Sequence, residues 1–108
     1  MTYVQICYTL SMKFQWDPNK AKTNLRKHGI SFEEAVTVFK DPLALIFTDE
    51  EHSEGEHREI IIGISTLSRL LLVYFVERHE DVVRIITARP ATNQEKKDYE
   101  ENARFQTP

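Results

Sequence analysis

At 108 residues with 41% hydrophobic side chains, the chain suits a single domain able to bury about two-thirds of its unfolded surface. Its one cysteine, Cys7, excludes an internal disulfide, and no Cys/His cluster shows zinc spacing. A net charge of −3 argues against a general nucleic-acid coat, and the longest apolar run, residues 70–76, falls far short of the ~20 residues that cross a bilayer.

The N-terminus lacks a basic region followed by an apolar core, so no secretory signal is read and a cytoplasmic setting is expected. Charge is unevenly spread: Lys13, Lys20, Lys22, Arg26 and Lys27 lie near the start, and Asp49, Glu50, Glu51, Glu54, Glu56 and Glu59 surround Arg58. Local fields of this kind matter more for a polyanion than the total.

Residues 1–11 have no helical period and read as an extension able to form an extra edge strand, with the main domain at 12–108. Lys13–Trp16 reads as a short strand. Trp16-Asp17-Pro18 then marks a helix start, with Asp as N-cap and Pro at the first helical position. That helix is expected to run to His28 and stop at Gly29. Its apolar face is thin, formed by Ala21, Leu25 and His28, while Lys20, Asn24 and Lys27 share another face. Ser31-Phe32-Glu33-Glu34 reads as a capping box opening a second helix, with Ile30 and Ala35 placed as a hydrophobic staple. Phe32, Ala35, Val36 and Phe39 recur at helical spacing, and Asp41-Pro42 ends the pattern.

Strands follow at 43–47 and 57–65, separated by the acidic loop 49–56, and then a hairpin at 69–89 turning about Glu80. With no long crossover between them, these make an antiparallel meander of about four strands. Thr92-Asn93-Gln94-Glu95 reads as a second capping box, starting a mostly polar last helix with Tyr99 and Ala103 as its apolar pair. The expected class is therefore α+β: two N-terminal helices, the meander and a C-terminal helix.

Alternation along the hairpin sets Arg78 opposite Val82, Val76 opposite Arg84 and Tyr74 opposite Ile86. A turn at Leu67 adds Arg58 opposite Val76 and Ile60 opposite Tyr74. One face then carries Arg58, Tyr74, Arg78 and Arg84, and the other carries Ile61, Leu71, Val73, Phe75, Val83 and Ile85 as the helix-packed core. Guanidinium groups on an apolar strand call for anions, and Arg binds phosphate through paired N–H donors beside rings that stack on bases. Pairing with nearby carboxylates is the bland alternative.

These residues resemble the BrnT toxin family. The resemblance rests on Trp16-Asp17-Pro18-Asn19-Lys20, Asn24, Lys27-His28-Gly29, Ser31-Phe32-Glu33-Glu34-Ala35, Asp41-Pro42, Arg58, the stretch Arg84-Ile85-Ile86-Thr87-Ala88-Arg89, and Thr92, Glu95 and Tyr99. It implies a RelE-like fold and a ribonuclease toxin acting without metal or cofactor. It also implies a BrnA-like antitoxin of ribbon-helix-helix type, which contacts DNA on the toxin's behalf, with a toxin–antitoxin heterotetramer as the assembly. The chain departs from many RelE-like toxins in being acidic.

The expected chemistry is attack of a ribose 2′-OH on the adjacent phosphate, giving a 2′,3′-cyclic phosphate. Arg58, Arg78 and Arg84 supply positive charge, with His28 as a further catalytic candidate from its Lys-His-Gly motif. For proton transfer His28, Tyr74, His57 and Glu77 stay open, because no spacing chooses among them. Lys20, Lys27, Tyr74 and Arg89 are the candidate RNA contacts; for Arg89 the resemblance also implies a catalytic role, with anchoring of the last helix as the alternative. Two rival classes remain. One is a non-catalytic interaction module working with a DNA-binding partner in operon repression. The other is a metal hydrolase using His52, Glu54, Glu56 and His57, a set on a loop and without helical geometry.

Overall fold

A computed structural model describes residues 4–7, 12–52, 55–79 and 81–106. The expected turn centre Glu80 and the loop residue Glu54 lie outside them. The chain forms β1 (Val4–Cys7), β2 (Lys13–Trp16), α1 (Pro18–His28), α2 (Phe32–Thr37), β3 (Leu45–Thr48), β4 (Arg58–Ile64), β5 (Leu70–Glu77), β6 (Val82–Pro90) and α3 (Asn93–Gln106). The strands make one mixed sheet in the order β1-β2-β6-β5-β4-β3. The expected meander is present as antiparallel β3 to β6, but the sheet is larger than expected and not wholly antiparallel. β2 pairs with β6 in parallel, and β1 adds to β2 antiparallel. The reason is topological: α1 and α2 carry the chain from β2 across to the opposite edge, leaving β2 free to pair beside the last strand.

Both early helices begin as the sequence indicates. The Asp17 carboxylate accepts from the Asn19 N–H, and Gly29 takes a left-handed φ of 70° at the C-terminus of α1. The thin apolar stripe does not form as expected, however, since Leu25 is 53% exposed and Asn24 is 4% exposed. For α2, Ser31 Oγ accepts from the Glu34 N–H, but the reciprocal half of the capping box is absent. The buried Glu34 carboxylate instead accepts from Arg69 Nε and Nη2 and from Ser65 Oγ. A buried charge gains more from a guanidinium than from a backbone amide, and Arg69 holds this carboxyl below its usual range.

The sheet faces differ. Ile61, Leu71, Val73, Phe75, Val83, Ile85 and Ala88 pack with Phe14, Trp16, Ile30, Phe32, Ala35 and Val36 in the main core, as alternation requires. Phe39 joins Phe14 and Phe75 there through edge-to-face contacts at 4.9 and 5.1 Å. On the other face Ile60, Ile62, Leu72 and Tyr99 form a smaller cluster under α3. Asp41 ties this region together. Its carboxylate accepts from Leu43 N, Ile64 N and Tyr99 Oη at 2.6–2.9 Å. Gly63 leaves room for a close approach, because a Cβ there would stand 3.0 Å from Val38 Cγ1 and 3.1 Å from Ala44 Cβ.

Candidate functional site

The strand register places Arg58 and Arg84 in one row across the sheet, each directly opposite the buried Val76 of the strand between them. Their Cα positions are therefore about 10 Å apart, two strand spacings. Gln15 of β2 continues the row beside Arg84. Ile60, Tyr74 and Phe47 share the next row on this face. The hairpin forms as expected from Arg78 to Val76, with the Arg78 N–H donating to the Val82 carbonyl.

Beyond that point β6 carries an irregularity. Phe75 faces Ile85, but Tyr74 faces Thr87 and not Ile86, so β6 has one extra residue at the bulge. This corrects the expected register and has two consequences. Arg89 moves to the side of Leu72 and Tyr74, where uninterrupted alternation would have aimed it into the core. There it forms a bidentate pair with Glu95 at 2.8 Å on both arms and donates to Tyr74 Oη at 3.3 Å. Glu95 also completes the capping box of α3, accepting from Thr92 N while its own N–H donates to Thr92 Oγ1. Arg89, followed by the Thr92 hydrogen bonds and opposed by burial, draws the Glu95 carboxyl down to about 2. The geometry thus ties Arg89 to Glu95 of α3 and to Tyr74 of β5.

The second consequence is a groove. Ile86 and Thr87 line an open cleft of about 280 Å³ together with Asn19, Lys20, Thr23, Asn24, Lys27 and His28 of α1. Lys20, Lys27 and His28 are thereby brought to one place, starting two residues along β6 from Arg84, and among the described residues no carboxylate lines the cleft. Asn24 builds its floor. The side chain donates to the Ile30 and Ala88 carbonyls at 2.9 Å and accepts from the Ala88 N–H at 3.0 Å and from Thr87 Oγ1 at 2.7 Å. In pairing with both polar groups of Ala88, the carboxamide stands in for a strand residue just past the end of β2. Periodicity gives no signal for it, since Asn24 falls with Lys20 and Lys27 on the polar face of the helix.

Arg78 lies at the open end of the hairpin and pairs with Glu56 at 2.9 Å, both side chains being at least one-third exposed. These two residues, with His57, Val76, Glu77 and His79, line a cleft of about 330 Å³. Val76 belongs both to this cleft and to the arginine row, and the cleft also holds His79, which the sequence does not single out as a candidate. Of the acidic loop set, Glu56 and His57 meet here. Among the described residues no group of three His, Cys, Asp or Glu is placed to hold a metal ion, and no helix is long and apolar enough to cross a membrane.

No curated protein matches the chain. The crystal structure of the Brucella abortus ribonuclease toxin BrnT is similar in fold, with a TM-score of 0.56 and 24% sequence identity over 72% of this chain and 94% of that one. The three helices and mixed sheet described above accord with that likeness. The sequence signature of the BrnT ribonuclease toxins of type II toxin–antitoxin systems spans residues 16–95, from the tryptophan of β2 to the glutamate of α3, and the chain belongs to that family.

Proposed function

We propose that the protein is an endoribonuclease toxin that cleaves RNA without a metal ion, by attack of a ribose 2′-OH on the adjacent phosphorus. The new O2′–P bond displaces the 5′-oxygen, the 2′-proton passes to a base, and the leaving oxygen takes a proton from an acid. The observation that carries this reading is the row Arg58–Val76–Arg84, two guanidinium-bearing residues one strand apart on either side of a buried valine. Charge built up on the phosphorane oxygens is stabilised by such donors when they are held by a rigid sheet. Arg78 supports the row from the hairpin end. Lys20 and Lys27 take the RNA backbone along the α1 groove, where they stand with His28 and, among the described residues, no carboxylate.

The candidates for proton transfer are His28 in the groove, and His57 and His79 in the cleft that Val76 also lines. Single His→Gln variants at these positions, compared by pH–rate profile, assign the roles, since loss of a true acid or base removes one limb of the profile. A BrnA-like antitoxin of ribbon-helix-helix type is the partner in this reading, bringing DNA contact with it in the cytoplasm.

The test uses partner-free protein. Cleavage of RNA should persist in EDTA and end in a 2′,3′-cyclic phosphate. Arg58→Gln and Arg84→Gln should each lower kcat at least 100-fold, with thermal stability retained. A well-folded protein that leaves RNA intact yet binds its antitoxin would instead favour a pure interaction module, a reading supported by the apolar exposure of β3.

A further inference from the structure

We propose that the outer edge of β3 receives an extended basic segment of the antitoxin, which adds to the sheet as a further strand. The proposal takes from the family assignment only that such a partner exists, and it is independent of the cleavage chemistry.

β3 ends the strand order, and among the described residues β4 is its single strand neighbour. The Asp49 N–H donates to the Arg58 carbonyl at 2.9 Å, and the same register runs back through Phe47–Ile60 and Leu45–Ile62. In an antiparallel ladder the backbone groups of alternate residues turn to opposite sides. Leu45, Phe47 and Asp49 therefore turn theirs toward β4, and Ile46 and Thr48 turn theirs outward.

Edge strands are ordinarily guarded by charges, proline or a bulge. The four residues Leu45, Ile46, Phe47 and Thr48 include neither a charge nor a proline, and their pairing with β4 is regular. Ile46 is 55% exposed on the helix side of the sheet and Phe47 is 47% exposed on the arginine side. Apolar contact is thus offered on both faces of an added strand, the arrangement strand addition uses for specificity.

Charge selects the occupant. Beyond the buried Asp49, the exposed Glu50 and Glu51 follow β3, and Glu59 stands opposite Thr48. A segment with two or three apolar residues followed by Lys or Arg complements this edge. A second copy of this chain does not, because it brings the same acidic run and a net charge of −3.

The register supplies a selective test. Thr48→Pro removes an outward N–H while leaving the β3–β4 ladder intact, and Thr48→Val keeps the N–H. In the complex of the full-length chain with its cognate antitoxin, the Ile46 and Thr48 amides should exchange with deuterium at least tenfold more slowly than in the free protein. Thr48→Pro should weaken the complex at least tenfold, and Thr48→Val should bind as the parent does. Equal exchange in free and bound protein, or equal binding by Thr48→Pro, overturns the proposal. A dimer of the partner-free protein that Thr48→Pro abolishes also overturns it, by assigning the edge to a second copy. Should Thr48→Pro fail to fold, the exchange rates of the unaltered protein decide. Cleavage enters none of these readouts, so failure of the ribonuclease reading leaves the result interpretable.

Discussion

On one face of the sheet α2 contributes Phe32, Ala35 and Val36 to a continuous apolar layer with Val73, Phe75 and Ile85. On the other, α3 is held by polar ties: Arg89 to Glu95, and Tyr99 to Asp41. The apolar face is closed, and the buried Glu34 carboxylate of α2 is held there by Arg69. The polar face carries the arginine row, and its helix depends on charges that acid can neutralise. Stability and surface chemistry are thereby assigned to opposite sides of the same strands, and each variant below acts on one side.

The largest effect should come from the closed face. Phe75→Ala removes a ring packed edge-to-face on Phe39 and should cost about 3–5 kcal/mol in denaturant unfolding. Asn24→Leu, at the edge where α1 meets β6, leaves the Ala88 amide and two carbonyls without their partners and should cost about 3 kcal/mol. Asn24→Asp separates its parts, since the carboxylate still accepts from Ala88 N and Thr87 but no longer donates.

On the polar face Arg89→Met should cost about 2 kcal/mol and release α3 first, seen as faster proteolysis within residues 93–106 before global unfolding. A linked pH effect follows. The folded pKa of Glu95 is lowered from 4.5 to about 2, so its contribution is complete above pH 4.5 and is lost as the pH falls from there toward 2. For Asp41, burial raises the pKa but hydrogen bonds from Tyr99, Ile64 and Leu43 outweigh it, so this group acts in the same direction. Glu95→Gln should flatten that acid limb, and a limb of unchanged slope would place the proton uptake elsewhere. The smallest effect should be that of Arg78→Gln, which breaks an exposed pair and should change stability by less than about 1 kcal/mol.

Local rules carried the secondary structure. Asp17-Pro18, Gly29, Ser31 and the Thr92–Glu95 box mark helix ends by chemistry confined to a few residues, so they are legible without a fold. The strand pairing of β4 with β5 was legible too, because the turn residues and the alternation agree. The β6 bulge was not read, although the doublet Ile85-Ile86 breaks alternation and was its local signal. The pairing of Tyr74 with Ile86 is therefore replaced by Tyr74 with Thr87, since one extra residue turns over everything beyond it. The Glu34 carboxylate was misread for another reason. A capping box and a buried ion pair compete for the same oxygens, and Arg69 is 35 residues away in sequence.

The order of amino acids by itself determined which segments are helix and strand, which strand face is apolar, and which family the chain resembles, because these depend on periodicity and short-range caps. Tertiary structure alone decided that β2 lies parallel to β6, that Asn24 closes the strand edge, that Lys20, Lys27 and His28 meet Ile86 in one groove, and that Glu34 pairs with Arg69. Each of these depends on which distant groups compete for a hydrogen bond or a charge, and that competition exists only once the chain has folded.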